Sequence, residues 1–294
     1  MKLDLRLAAL PLALLVPMAL VLTGEARAPA QTDRPFKAVR NEGTLVLEGF
    51  NVLFTQVVNE STRLRFDGVA AKPASITASV EGFRLTATRQ IDTTLVPRKE
   101  NPKKQKVQVA TATGATFFAK EDLKGRVEAT GQKTTYTDKG ETGDVVMAGP
   151  VTLKNATADG KQASVATGDS LRLTVSTAEK EKDPVRTAIL EGKVSLKVNQ
   201  KRPPGKPDGT ETYTATGDRL EYRLKGTGAE AVLTGTIKLT GTAEADQGET
   251  TGITRVVIQI IEKQEAVSFA ASGEPVSTTL KLVPKKKKGG TAKL

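Results

Sequence analysis

The chain contains no cysteine and no histidine, and only 4% of its 294 residues are aromatic. Without cysteine there is no disulfide framework, no thiolate chemistry and no lipid-modified cysteine to anchor the protein. Without histidine, the usual general base at neutral pH and the commonest metal ligand are both missing. No pair of carboxylates stands out for acid–base work, so the sequence predicts neither an enzyme nor a cofactor. Few aromatics also means little to stack on bases, which argues against nucleic acid despite a formal net charge of +11. Apolar residues make up 38%. The core must come from Val, Leu, Ile and Ala, with Thr and Gly abundant around it. That composition suits a sheet with a modest core better than a spherical enzyme.

What is present is strand. Residues 214–241, TATGDRLEYRLKGTGAEAVLTGTIKLTG, read as a hairpin. Asp218, Leu220, Tyr222 and Leu224 alternate on the first strand; Leu233, Gly235, Ile237 and Leu239 alternate on the second. Between them Gly226 and Gly228 permit the positive φ of a tight reversal. A period of two puts each set on one face of its strand.

The hairpin recurs. Ala166-Thr167-Gly168-Asp169 repeats Ala215-Thr216-Gly217-Asp218, and Leu190-Glu191-Gly192-Lys193-Val194-Ser195-Leu196 repeats Leu233-Thr234-Gly235-Thr236-Ile237-Lys238-Leu239. Ala129-Thr130-Gly131 and Met147-Ala148-Gly149-Pro150-Val151-Thr152-Leu153 form a third copy. Gly149, Gly192 and Gly235 are each 43 residues apart, as expected for consecutive copies of one unit sharing a core. These glycines read as structural, allowing a strand to bend or a neighbour to approach. Asp169 and Asp218 read as organising a turn.

Residues 1–30 form a targeting segment. Lys2 and Arg6 precede a 16-residue run, 7–22, without a polar side chain, and small residues follow at Ala26, Ala28 and Ala30. Cleavage after Ala30 is expected, giving a periplasmic protein. An uncleaved inner-membrane anchor is the competing reading, although the run falls short of the ~20 residues that span a bilayer and holds Pro11 and Pro17.

Residues 31–106 read as an N-terminal β region with degenerate repeats, in which 45–52 and 79–85 are weak copies of the leucine–glycine–valine motif. Their apolar parity slips after Gly49 and Gly82, as a bulge would cause. Residues 97–106 (PRKENPKKQK) read as a polar connector, and 179–184 and 200–209 as long hairpin loops. Residues 117–124 hold the one hint of a helical turn. Residues 256–261 (VVIQII) are apolar on both faces, so they need cover or a partner; they are the candidate terminal strand for edge-to-edge assembly into a homo-oligomer. A last strand is expected from Ser272 to Leu282, and 285–294 is a solvated basic tail.

The tandem ATGDRLEY and LTGTIKL motifs behind an export signal resemble the OstA-like (LptA/LptC) family of lipopolysaccharide-transport proteins. The likeness covers residues 125–242, within an expected domain at 107–284. It implies an all-β, elongated, V-shaped β-jellyroll of repeated strand pairs. It further implies that the apolar groove holds the acyl chains of lipopolysaccharide or a related phosphorylated lipid, with other transport proteins as partners. The groove lining implied is Met147, Val151, Leu153, Leu171, Leu173, Leu190, Val194, Leu196, Leu220, Tyr222, Leu233, Ile237 and Leu239. Parity then turns Val194, Leu196, Ile237 and Leu239 inward, and Lys193, Lys197, Thr236 and Lys238 outward. Residues 1–30 carry one net positive charge, leaving +10 on the remainder to attract phosphate headgroups. Periodicity alone also accounts for Leu233, Ile237 and Leu239 as plain core. The alternative function is therefore an exported structural or surface β-repeat protein without a lipid ligand.

Overall fold

The computed structural model describes residues 37–41, 43–58, 60–122, 125–157, 162–177, 185–201, 210–225, 228–242, 250–261 and 266–272. The chain divides into Met1–Pro35 and Phe36–Leu294, and every described residue belongs to the second unit. The targeting segment, most of the expected last strand, the basic tail and the loops at 178–184 and 202–209 lie outside the described residues.

The described residues are all-β: fifteen strands joined in one antiparallel sheet, with no helix among them. Threonine and β-branched residues alternating with polar ones favour this pleated state. Short connections between consecutive strands make the pairing antiparallel. Six strands close a ring: β2 (Leu45–Val58), β3 (Ser61–Asp67), β4 (Ala74–Ala78), β5 (Phe83–Ala87), β6 (Gln90–Pro97) and β7 (Gln105–Asp122). The order around it is β7–β5–β4–β2–β3–β6, with β6 returning to β7. β1 (Lys37–Asn41) adds to β2 outside the ring.

The ring follows from two interrupted strands. β3 and β4 run back along β2 as two pieces of one path, β3 pairing with Phe50–Val58 and β4 with Leu45–Glu48. β6 and β5 likewise share one edge of β7, on either side of Gly114. Each break lets the path turn, so the two pieces enter opposite walls. On its other edge β7 pairs with β8 (Gly125–Asp138). A simple meander then continues through β9 (Thr142–Thr157), β10 (Gln162–Ser176), β11 (Val185–Lys201), β12 (Thr210–Lys225), β13 (Gly228–Thr242), β14 (Thr250–Ile261) and β15 (Ala266–Ser272).

These strands are long, and they bend in the middle. Register shifts interrupt every ladder from β7–β8 to β13–β14, at Thr113/Thr116, Thr130/Lys133, Gly168/Ser170, Glu191/Val194, Thr216/Arg219 and Thr234/Ile237 among others. Side by side, these bulges form a crease across the sheet. Alternate strands cross it on a glycine in the left-handed region: Gly114 at φ 92°, Gly149 at 92°, Gly192 at 79° and Gly235 at 109°. The intervening strands lay a side chain over that glycine. A Cβ on Gly235 would sit 2.1 Å from Asp218 Oδ2, and one on Gly192 would sit 2.3 Å from Asp169 Oδ2. Gln132 plays the same part over Gly149. The two recurring motifs thus meet in space, each aspartate on the glycine of the next strand.

Several expectations are corrected. Asp218 does not share a face with Leu220: the bulge between Thr216 and Arg219 adds a residue, so Gly217 is buried and Asp218 exposed. Nor does Asp218 organise its own turn; it accepts the Thr236 backbone N–H across the ladder at 3.2 Å. Gly82 lies in the β4–β5 turn rather than at a bulge within a strand, because β4 ends at Ala78 and β5 begins at Phe83. Pro97, Gln105 and Lys106 belong to β6 and β7, which leaves residues 98–104 as the connector. Phe117 to Asp122 are strand, not a helical turn. Residues 256–261 are not terminal, because β14 has β13 on one edge and β15 on the other.

Candidate functional site

The crease brings the two halves of each long strand onto one interior. Leu190 and Leu196 of β11 stand on either side of Gly192, yet both line a single cavity of about 130 Å³. One wall carries Val185, Ala188 and Leu190 of β11, Leu220 and Tyr222 of β12, Ala231 of β13 and Ile258 of β14. The facing wall carries Leu153 and Asn155 of β9, Ala163, Ser164 and Ala166 of β10, Leu196 and Val198 of β11, and Val127 of β8. Most of the lining is buried, Leu190, Leu196, Leu220, Val127 and Ile258 among it, while Leu153, Val198 and Tyr222 are partly exposed.

Alanine makes the room. Tyr222 pairs with Ala188 on one side and Ala231 on the other, and Ala163 and Ala166 stand on the facing wall. Larger side chains at those positions would meet across the gap and fill it. Among the described residues the polar side-chain groups of the lining are those of Asn155 and Ser164 and the Tyr222 hydroxyl. An apolar cavity on the order of 150 Å³ stays dry and takes up hydrocarbon. This one is close to that size, with walls of the same chemistry.

The thirteen implied groove residues divide. Leu153, Leu190, Leu196, Leu220 and Tyr222 line the cavity. Met147, Val151, Leu171, Leu173, Val194, Leu233 and Ile237 are packed core, each at most 2% exposed. Leu239 pairs with Ala215 in the ladder, but its side chain lies outside the described residues. Lys193, Lys197, Thr236 and Lys238 are exposed while Val194, Leu196 and Ile237 are buried, as alternation requires. Asn155 and Ser164 line the cavity without any apolar signal, and Val127, Val185, Val198, Ile258 and the four alanines were missed. Inward alternation was their signal, and alanine gives it too faintly on a hydropathy pattern.

The ring is built otherwise. Its interior holds Phe66, Phe83 and Phe118, with Tyr136 of the adjoining β8 packed against them, none more than 3% exposed. Phe83 on one wall meets Tyr136 on the other at 4.4 Å between ring centroids, and Phe118 at 5.9 Å. Gly143 leaves the space that the Tyr136 ring occupies. Burial pushes the Tyr136 phenol well above its ordinary range, and the nearby carboxylates of Asp138 and Glu81 add to the shift. Glu81, in the β4–β5 turn, accepts from Arg98 at 2.7 Å in the β6–β7 connector; the side chains are 7% and 11% exposed. Lys120 Nζ donates to the Glu81 carbonyl at 2.6 Å.

Outside, several charges are paired across or along the strands. Arg219 pairs with Glu191 and Glu221, and Arg223 with Glu221. The hydrogen bond from Arg223, more than that from Arg219, holds the Glu221 carboxyl below its usual range. Among the described residues no group of three His, Cys, Asp or Glu side chains could hold a metal ion, and no helix is long and apolar enough to cross a membrane. Comparison with protein-family models, curated proteins and solved structures found no match to this chain.

Proposed function

We propose that this protein is a periplasmic carrier or bridge for lipopolysaccharide, or a related phosphorylated lipid, on its way to the outer membrane. In this reading the bent meander is a β-jellyroll, and acyl chains sit between its facing walls without any covalent chemistry. The observation that carries the reading is the alanine-spaced cavity of β8–β14, with aliphatic residues on both walls. A strand set built only to pack would fill that space. Each methylene buried there is worth ~0.8 kcal/mol, so a few carbons suffice for measurable affinity. The net charge of +11 favours an anionic headgroup outside the cavity.

A second reading, an exported structural β-repeat protein, draws on the seven implied groove residues that are packed core. Native mass spectrometry of the protein purified from a Gram-negative host separates the two. A bound acylated phospholipid or lipopolysaccharide fragment, lost on delipidation, is the result expected. Protein of bare-chain mass that also fails to take up lipid A would leave the structural reading standing.

A further inference from the structure

We infer that the cavity is blind: acyl chains enter and leave only along β8–β14, and the β2–β7 ring is a stopper that no chain crosses. This rests on the lipid-carrying reading of the cavity and adds a direction to it. Three observations carry it. The cavity lining includes no residue of β2–β7. On the ring side the described lining ends at Val127 of β8, and the other inward residues of the neighbouring strands, Val145, Met147 and Val151 of β9 with Leu171 and Leu173 of β10, are all packed to within 1% of full burial. Where β8 adjoins the ring, Tyr136 of β8 meets Phe83 of β5 across the interior, Phe118 of β7 packs beside Phe83, and the buried Glu81–Arg98 pair ties the β4–β5 turn to the β6–β7 connector.

An alkyl chain advancing into the ring would displace Tyr136 from Phe83 and part a buried ion pair. Hydrocarbon offers neither a hydrogen bond nor a countercharge in return. The chain therefore stops where the aliphatic walls stop. Loading and delivery share the β8–β14 side of the molecule, and the depth of the cavity limits how much of a chain is held.

The test places p-benzoylphenylalanine at aromatic positions in the full chain, so that little volume changes. Tyr222→p-benzoylphenylalanine probes the cavity and Phe118→p-benzoylphenylalanine the ring. Both are irradiated with lipid A supplied in detergent micelles, with circular dichroism confirming the fold. Capture at Tyr222 and none at Phe118 is expected; comparable capture at both overturns the blind end while leaving the lipid reading intact. No capture at Tyr222 or at Leu196 in folded protein removes the lipid reading, and the inference with it. Should the Phe118 variant fail to fold, Phe83→p-benzoylphenylalanine samples the same interior. An alkyl phosphate series from octyl to octadecyl reads the depth independently. Affinity should rise by about fourfold per methylene until the stopper is reached and then level off, whereas an unbroken rise through octadecyl overturns the inference.

Discussion

The ring and the β8–β14 meander use one device, a strand that turns back at mid-length, and fill the resulting interior in opposite ways. In the ring, walls tied along both β2 and β7 enclose phenyl rings, against which the Tyr136 phenol of β8 packs, and a buried ion pair joins two of its loops. In the meander, the walls are joined along the crease, and alanines hold them off one another. Closing a sheet fixes the distance between its walls, so the contents must match. Leaving one side unjoined lets the spacing be set by whatever side chains stand there. Rigidity and capacity are thus divided along one continuous sheet.

The sharpest way to break this comparison is at the ion pair. Arg98→Met leaves the Glu81 carboxylate buried without its partner, which costs about 3–5 kcal/mol when one member of such a pair is removed. Urea unfolding should show a lower midpoint. A change below ~1 kcal/mol, the range of exposed ion pairs, would mean that the rim is wet and the stopper weak.

Next comes one kind of substitution in both regions. Ala112→Leu pushes methylenes into the filled ring and should cost about 1–3 kcal/mol. Ala188→Leu enters the cavity instead and should stabilise by about 0.5–2 kcal/mol, as cavity filling commonly does, while abolishing lipid capture at Tyr222. Thermal denaturation of the two variants reads the sign directly. Equal destabilisation by both would show the cavity to be as tightly packed as the ring.

The crease itself separates two glycines. Gly235→Ala forces a β-carbon into a φ of 109° and against Asp218, and strain of this kind costs of order 1–3 kcal/mol. Gly131 has room, its nearest neighbour for a β-carbon being Met147 Cε at 3.4 Å. Gly131→Ala should therefore lie within ~0.5 kcal/mol of the parent, as measured by denaturant midpoint.

The smallest effect is electrostatic. The hydrogen bond from Arg63, with Arg65 assisting and burial opposing, holds the Asp92 carboxyl below its ordinary range. A depressed folded-state pKa contributes stability that is present above the unfolded value of about 3.9 and lost as pH falls through the folded value. Asp92→Asn should thus be slightly less stable than the parent at neutral pH and equal to it in strong acid. A constant difference across the acid range would assign the effect to packing instead.

Much of the meander was legible because its signals are local. The pairing of β12 with β13, the alternation of Leu233 with Ile237 and the recurrence of Gly149, Gly192 and Gly235 all rest on patterns within one strand or one hairpin. Parity failed at Asp218, since a bulge adds one residue without marking it by hydropathy. In the VVIQII segment Val256 and Ile258 are buried while Val257 is only partly so, and the strand runs inside the sheet between β13 and β15. Its neighbour β15 was not recognised, because AVSFAAS has only two large apolar residues and precedes a stronger-looking stretch. The ring was illegible for a deeper reason. Closure depends on β3 and β4, and on β5 and β6, pairing with separate halves of β2 and β7, and nothing in a strand's own residues reports which half it will meet. The cavity hid in alanines, whose small size matters only once the opposing wall is known.

The aspartate-on-glycine contacts at the crease also bear on how such a protein changes length. Asp169 lies over Gly192, and Asp218 over Gly235 and the Thr236 N–H, so each of these contacts joins two adjacent strands. A duplicated pair of strands brings its own joint with it and disturbs neither neighbour, as in other arrays held by nearest-neighbour contacts. The crease can be lengthened in steps of one hairpin by tandem duplication of its coding segment. The distance the protein spans is then set by copy number, and the chemistry of each joint is inherited unchanged.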